Sequence, residues 1–85
     1  MSPEKQIRLA AKMYEARDGV RILLGDKFKD RMREGGKLLQ DLAAEHKVSI
    51  LEAATNSAKI FQKEGNNTGA VVILAAAIEL LEPSV

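Results

Sequence analysis

Nine consecutive apolar residues, from Ala70 to Ile78, are the strongest constraint on how this chain can fold. A surface helix carries its apolar residues in one stripe, whereas a helix over this run would be apolar on all sides. Such a helix must be covered on every side, by the rest of the fold or by a second chain. The run is too short to cross a bilayer, which requires about 20 apolar residues. We therefore expect residues 68–82 to form the central helix of a compact helical domain.

Length and composition predict a single all-α domain over residues 1–85. Aromatic residues make up 4% of the chain, so aliphatic side chains, Ala and Met must build the core. We expect side chains of such low bulk to leave an entirely apolar helix incompletely covered within one chain. This predicts a homodimer, in which a second chain covers the rest. The chain has no Cys, and this excludes a disulfide framework and thiolate metal sites. Met1 leads directly into a helix start at Ser2, Pro3 and Glu4 with no signal-peptide segment, which predicts a cytoplasmic protein that does not bind membranes.

We predict a bundle of about four helices, over residues 3–24, 26–46, 49–64 and 68–82. An apolar stripe indicates the first helix, and Asp26 is the predicted N-cap of the second. The second helix keeps its apolar phase through Gly35 and Gly36, which could break it, kink it or pack against a neighbour. The stripe of the first helix consists of Leu9, Met13, Ala16, Val20 and Leu23.

Capping signals place the ends of the last two helices. Ser49 and Glu52 match a capping box, in which each side chain satisfies a free backbone N–H group. Gly65 should end the third helix in the left-handed conformation. Asn67 or Thr68 is the predicted cap of the fourth helix, and Pro83 should end it.

The densest cationic cluster lies in the predicted second helix. Its cations alternate with Asp30, Glu34 and Asp41, and carboxylates oppose phosphate binding. This pattern is typical of a solvated helix face, or of a surface that binds an acidic patch on another protein. Residues 1–37 carry ten Lys or Arg and six Asp or Glu, whereas residues 38–85 carry three and six, so opposite charges could also attract the two halves. The candidate partner-binding residues are Lys27, Lys29, Arg31, Arg33 and Lys37.

Residues 42–49, Leu-Ala-Ala-Glu-His-Lys-Val-Ser, resemble the first helix and turn of a helix-turn-helix unit. Ala43, Val48 and Ser49 fit that pattern, while Lys47 stands where Gly is usual. The resemblance covers about 20 residues, 40–59, and implies a DNA-binding regulator. The side chains that would then contact base edges or phosphates are Thr55, Asn56 and Lys59.

No residue pattern points to catalysis, a metal or a cofactor. His46 is the only histidine, and a general base or metal ligand would need partners that the sequence does not place beside it. We therefore predict a small non-enzymatic protein-binding or regulatory module that uses a charged helix surface. Small accessory proteins of bacteria and their phages have this compositional character. The alternative is the helix-turn-helix DNA-binding regulator.

Overall fold

The computed structural model describes residues 3–82, without the side chains of residues 5–7, 9 and 10. Helix α1 spans Pro3–Leu24 and is followed by a 3-10 turn at Gly25–Lys27. Helices α2, α3 and α4 span Phe28–His46, Ile50–Lys63 and Asn67–Leu81. The predictions made for Ser2, Pro83 and the Leu9 side chain lie outside the described residues.

The prediction of a compact all-α fold is confirmed, since residues 3–82 contain no strand. The radius of gyration is 12.0 Å, close to the value of about 12 Å expected for a folded chain of this length. The predicted count of four helices is not confirmed. The 3-10 turn joins α1 directly to α2, so the helical residues fall into three runs, over 3–46, 50–63 and 67–81.

Helix α4 packs against each of the other three helices. Coverage is nevertheless incomplete, because Val71 keeps 40% of its surface exposed. The single chain therefore does not enclose this apolar helix on every side. Among the described residues, no helix is long and apolar enough to span a membrane. The buried residues of α4 are Ala70, Ile73, Ala75, Ala76, Ala77 and Ile78.

Gly35 and Gly36 lie where α2 packs against α4. Helix α2 continues through both residues. A Cβ atom on Gly35 would lie 2.8 Å from the Cβ of Ala76, and one on Gly36 would lie 3.1 Å from the Leu80 side chain. The two glycines thus serve as a packing contact, and at Gly35 only a residue without a side chain leaves room for α4.

The apolar stripe predicted for α1 is buried along only part of its length. Met13 and Val20 are buried, but Leu23 is 71% exposed. Leu23 instead lines a small cleft with Val71 and Val72, beside the first turns of α4. Periodicity identifies the apolar face of a helix, but it does not show how far along that face a neighbour extends.

Asp26 is not the N-cap of α2, and that prediction is wrong. Gly25 has a φ of 54°, and a 3-10 turn begins there with Asp26 inside it. The N-cap position falls to Lys27, whose side chain makes no capping hydrogen bond. Asp is equally favourable in a turn and at a helix start, so local sequence does not distinguish the two.

Capping residues set both ends of α3 and the start of α4. The Ser49 cap is confirmed, because its hydroxyl accepts a hydrogen bond from the backbone N–H of Glu52 at 3.1 Å. Gly65 adopts the predicted left-handed conformation, with a φ of 78°. The predicted cap of α4, Asn67 or Thr68, is wrong, because the Asn66 side chain accepts the hydrogen bond from the N–H of Gly69, at 2.8 Å.

Candidate partner-binding surface

The predicted partner-binding cations are all exposed. Lys27 belongs to the 3-10 turn, and the other four lie in the first half of α2. Exposed ion pairs join Arg31 to Glu34 at 3.4 Å and Arg33 to Asp30 at 3.6 Å. Because such surface pairs contribute only about 0–1 kcal/mol, these carboxylates chiefly lower the positive charge of the surface.

A cleft brings two of these cations, Lys29 and Arg33, together with Arg21 of α1. It lies between the start of α2 and the C-terminal parts of α1 and α4, is open to solvent and has a volume of about 850 Å³. The remaining predicted cations lie outside it. We call this site the cationic cleft; its lining residues are Arg21, Gly25, Asp26, Phe28, Lys29, Met32, Arg33, Glu79 and Leu80.

The base of the cationic cleft is apolar. Phe28 and Met32 are buried members of the core, and Leu80 is half-buried against it. The guanidinium carbon of Arg21 lies 5.2 Å from the centroid of the Phe28 ring, which is the geometry of a cation–π contact. Arg21 is therefore positioned by the base of the cleft. The site thus combines apolar contact area with positive charge at its rim.

A polar cluster that is not predicted from the sequence lies next to the cleft. Arg17 of α1 forms an ion pair with Glu79 of α4 at 3.6 Å, and it donates a hydrogen bond to the backbone carbonyl of Glu82 at 2.7 Å. A cation is favourable there because the C-terminus of a helix carries partial negative charge. The Arg17 Nε atom is buried and has no hydrogen-bond partner among the described residues. Only the three-residue spacing of Tyr14 and Arg17 could have indicated a shared face.

Tyr14 completes this cluster. Its hydroxyl donates a hydrogen bond to the Glu82 carboxylate, and its ring lies beneath the Arg17 guanidinium, whose carbon is 5.3 Å from the ring centroid. The hydrogen bond to Glu82 raises the pKa of Tyr14 above its ordinary value of 10.0. Loss of hydration and the negative charge of Glu82 act in the same direction, while the Arg17 charge opposes them.

His46 is exposed at the C-terminal end of α2. Within residues 3–82, no group of three or more His, Asp or Glu side chains is arranged to hold a metal ion.

The side chains that would contact DNA in the alternative prediction differ in solvent exposure. Asn56 and Lys59 are exposed on α3, but Thr55 is half-buried. The Thr55 hydroxyl donates a hydrogen bond to the Leu51 carbonyl of its own helix, at 2.8 Å. Lys47, where Gly is usual in such units, has a φ of 55° and so adopts the left-handed conformation that Gly favours.

No family model matches this chain, and no match was found among curated proteins or among solved structures.

Proposed function

We propose that this chain is a small, cytoplasmic, non-enzymatic protein-binding or regulatory module that acts through the charged surface of α2. The observation that carries the proposal is that all five predicted cations are exposed and that two of them, Lys29 and Arg33, line a cleft with an apolar base. Protein interfaces combine apolar contact area with charged groups that select and orient the partner. Charge reversal on this surface should therefore abolish partner binding.

Affinity capture from a cell extract tests this proposal when three baits are compared. The wild-type chain should retain proteins that the Lys29→Glu, Arg33→Glu, Lys37→Glu triple variant loses. A control triple variant, Lys12→Glu, Lys59→Glu, Lys63→Glu, changes the charge equally at other exposed positions and should retain them. Equal loss with both variants, or no loss with either, would contradict a role for the α2 surface.

The second candidate is DNA binding through residues 40–59. It is favoured by the left-handed Lys47 at the turn between α2 and α3 and by the exposure of Asn56 and Lys59. Anisotropy of a labelled random duplex, titrated at about 50 and 200 mM salt, distinguishes it, because phosphate contacts weaken steeply over that range. The Thr55→Ala, Asn56→Ala variant should change sequence preference only if these residues read bases.

We also propose that the chain forms a homodimer through the apolar cleft beside the start of α4. Leu23 and Val71, both exposed, line this cleft, and a second copy offers the same apolar surface in return. Sedimentation equilibrium at tens of micromolar protein should give twice the chain mass. Leu23→Glu should dissociate the dimer, whereas Ile60→Glu, at an exposed apolar position on α3, should not. A monomeric mass for the wild type contradicts the proposal.

A further inference from the structure

We infer that the cationic cleft binds an acidic peptide segment of another protein, one that carries at least one large apolar side chain. This inference rests on the proposed function and adds the position of the site and the chemistry of the partner. It has two independent supports, which are the apolar base of the cleft and the charge of its rim.

The apolar base requires an apolar group in the partner. Phe28 and Met32 belong to the buried core, and Leu80 is packed against it from the side of α4. The volume of about 850 Å³ is within the range of ligand pockets, about 300–1,000 Å³. Since the cleft is open, it fits a segment that lies across it and inserts one or two side chains.

The charge of the rim requires acidic groups beside that apolar group. Three cations, Arg21, Lys29 and Arg33, line the cleft and outnumber its two carboxylates, Asp26 and Glu79. The nearby Arg17 offsets the charge of Glu79, from 3.6 Å away. The Arg33 side chain is 79% exposed even though it pairs with Asp30. Guanidinium groups bind carboxylates through two parallel hydrogen bonds, so the rim suits Asp or Glu side chains.

A peptide fits these features better than a nucleic acid does. The base offers a place for an apolar side chain, whereas a duplex presents phosphates along its whole surface. Asp26 lines the cleft and Asp30 and Glu34 lie on the same segment, where they would repel a phosphate backbone. A peptide can place its few carboxylates beside the cations and leave neutral groups beside these acids.

Selection of random linear peptides displayed on phage, with the full chain as the immobilised target, tests the inference. The enriched sequences should contain Asp or Glu next to Leu, Phe or Trp. A fluorescein-labelled synthetic peptide of the enriched sequence should bind the Lys29→Glu, Arg33→Glu variant at least about tenfold more weakly than the wild type, which corresponds to one charge-assisted contact. Replacing its apolar residue by Ala should weaken binding by a similar factor.

The control variant Lys59→Glu, Lys63→Glu changes the charge equally on α3 and should bind the peptide as the wild type does. No enrichment, enrichment of basic or neutral peptides, or equal loss with both double variants would overturn the inference. Loss with Lys27→Glu, Lys37→Glu but not with the cleft variant would overturn it while leaving the proposed function in place. A labelled duplex that binds the wild type and not the cleft variant would assign the cleft to nucleic acid instead.

Discussion

A Cβ atom on Gly35 would lie 2.8 Å from the Cβ of Ala76, a separation that real Cβ atoms essentially never show. Ala76 is fully buried, so it has no space into which to move. The contact between α2 and α4 at this point is therefore set by the backbones of the two helices.

The Gly35→Ala variant should lower the free energy of unfolding by about 1–2 kcal/mol. Ala in place of Gly inside a helix normally gains up to about 1 kcal/mol, but overpacking a rigid site costs about 1–3 kcal/mol. Gly19→Ala is the matched control, because Gly19 lies inside α1 and a Cβ there would have no atom within 4 Å. Urea denaturation should show Gly19→Ala as neutral or stabilising. Equal effects of the two substitutions would contradict the close packing of α2 against α4.

Replacing Arg17 by Met should destabilise the chain by about 1–3 kcal/mol. The Arg17 and Glu79 side chains are only 15% and 20% exposed, and removing one charge leaves the other largely buried without this counter-charge. Arg31→Met removes an ion pair whose two side chains are 57% and 69% exposed, and it should cost less than about 0.5 kcal/mol. Urea denaturation of both variants provides the comparison, and similar losses would show that the Arg17 cluster adds no more than a surface pair.

The pKa of Tyr14 should be above 10.0, its ordinary value, in the folded chain. Tyr14 is the only Tyr and the chain has no Trp, so the absorbance of tyrosinate near 295 nm reports this residue alone. Glu82→Ala removes the hydrogen-bond acceptor and should move the midpoint back toward 10.0. A wild-type midpoint at or below 10.0 would contradict the raised pKa, and an unchanged midpoint in Glu82→Ala would contradict the hydrogen bond as its cause.

The raised pKa of Tyr14 makes the free energy of unfolding depend on pH in the alkaline range. The unfolded chain releases the Tyr14 proton around pH 10.0, whereas the folded chain keeps it to higher pH. The contribution of the Tyr14 hydroxyl to the free energy of unfolding is therefore complete below pH 10.0. It is lost as pH rises through the higher pKa of Tyr14 in the folded state. The free energy of unfolding should fall more steeply above pH 10.0 in the wild type than in Tyr14→Phe. Parallel pH profiles for the two proteins would contradict the linkage.

Asn66→Ala should lower the free energy of unfolding by about 0.5–2 kcal/mol, the usual cost of losing an N-cap side chain. The substitution leaves the N–H of Gly69 without the acceptor that it has in the folded chain. Asn67→Ala, one position further on, replaces an exposed residue in the first turn of α4 and should have a smaller effect. The larger effect at position 67 would instead favour the cap predicted from sequence.

Local sequence predicts the helix ends at Ser49 and Gly65 because these ends depend on neighbouring residues. Ser49 and Gly65 act within a few positions of themselves, and both behave as predicted. Asp26 lies in a turn and does not cap α2, an outcome that local sequence does not predict because a turn and a helix start favour the same residue types. The contact between Tyr14 and Glu82 joins residues 68 positions apart in the chain. No pattern within one helix contains that information.

The candidate site was predictable only in part for the same reason. The five cations could be read from the sequence as one cluster. In the structure, two of these cations line the cleft and three do not. Which of them line it depends on the positions of Arg21 in α1 and Leu80 in α4, because these residues complete the cleft around Lys29 and Arg33. Such an assignment requires the packing of three helices, whereas periodicity describes only one helix at a time.

The small residues between α2 and α4 have a consequence for recognition. Gly36 contacts Leu80, which is part of the base of the cleft. Gly35 contacts Ala76, which lies one turn before Leu80 in α4. Glycine and alanine have no alternative rotamers, so no side-chain rearrangement between Gly35 and Ala76 can change the spacing of α2 and α4 at this point. A partner therefore meets two helices whose spacing is already set, and the groups of this chain that become ordered on binding are the exposed side chains of Lys29 and Arg33.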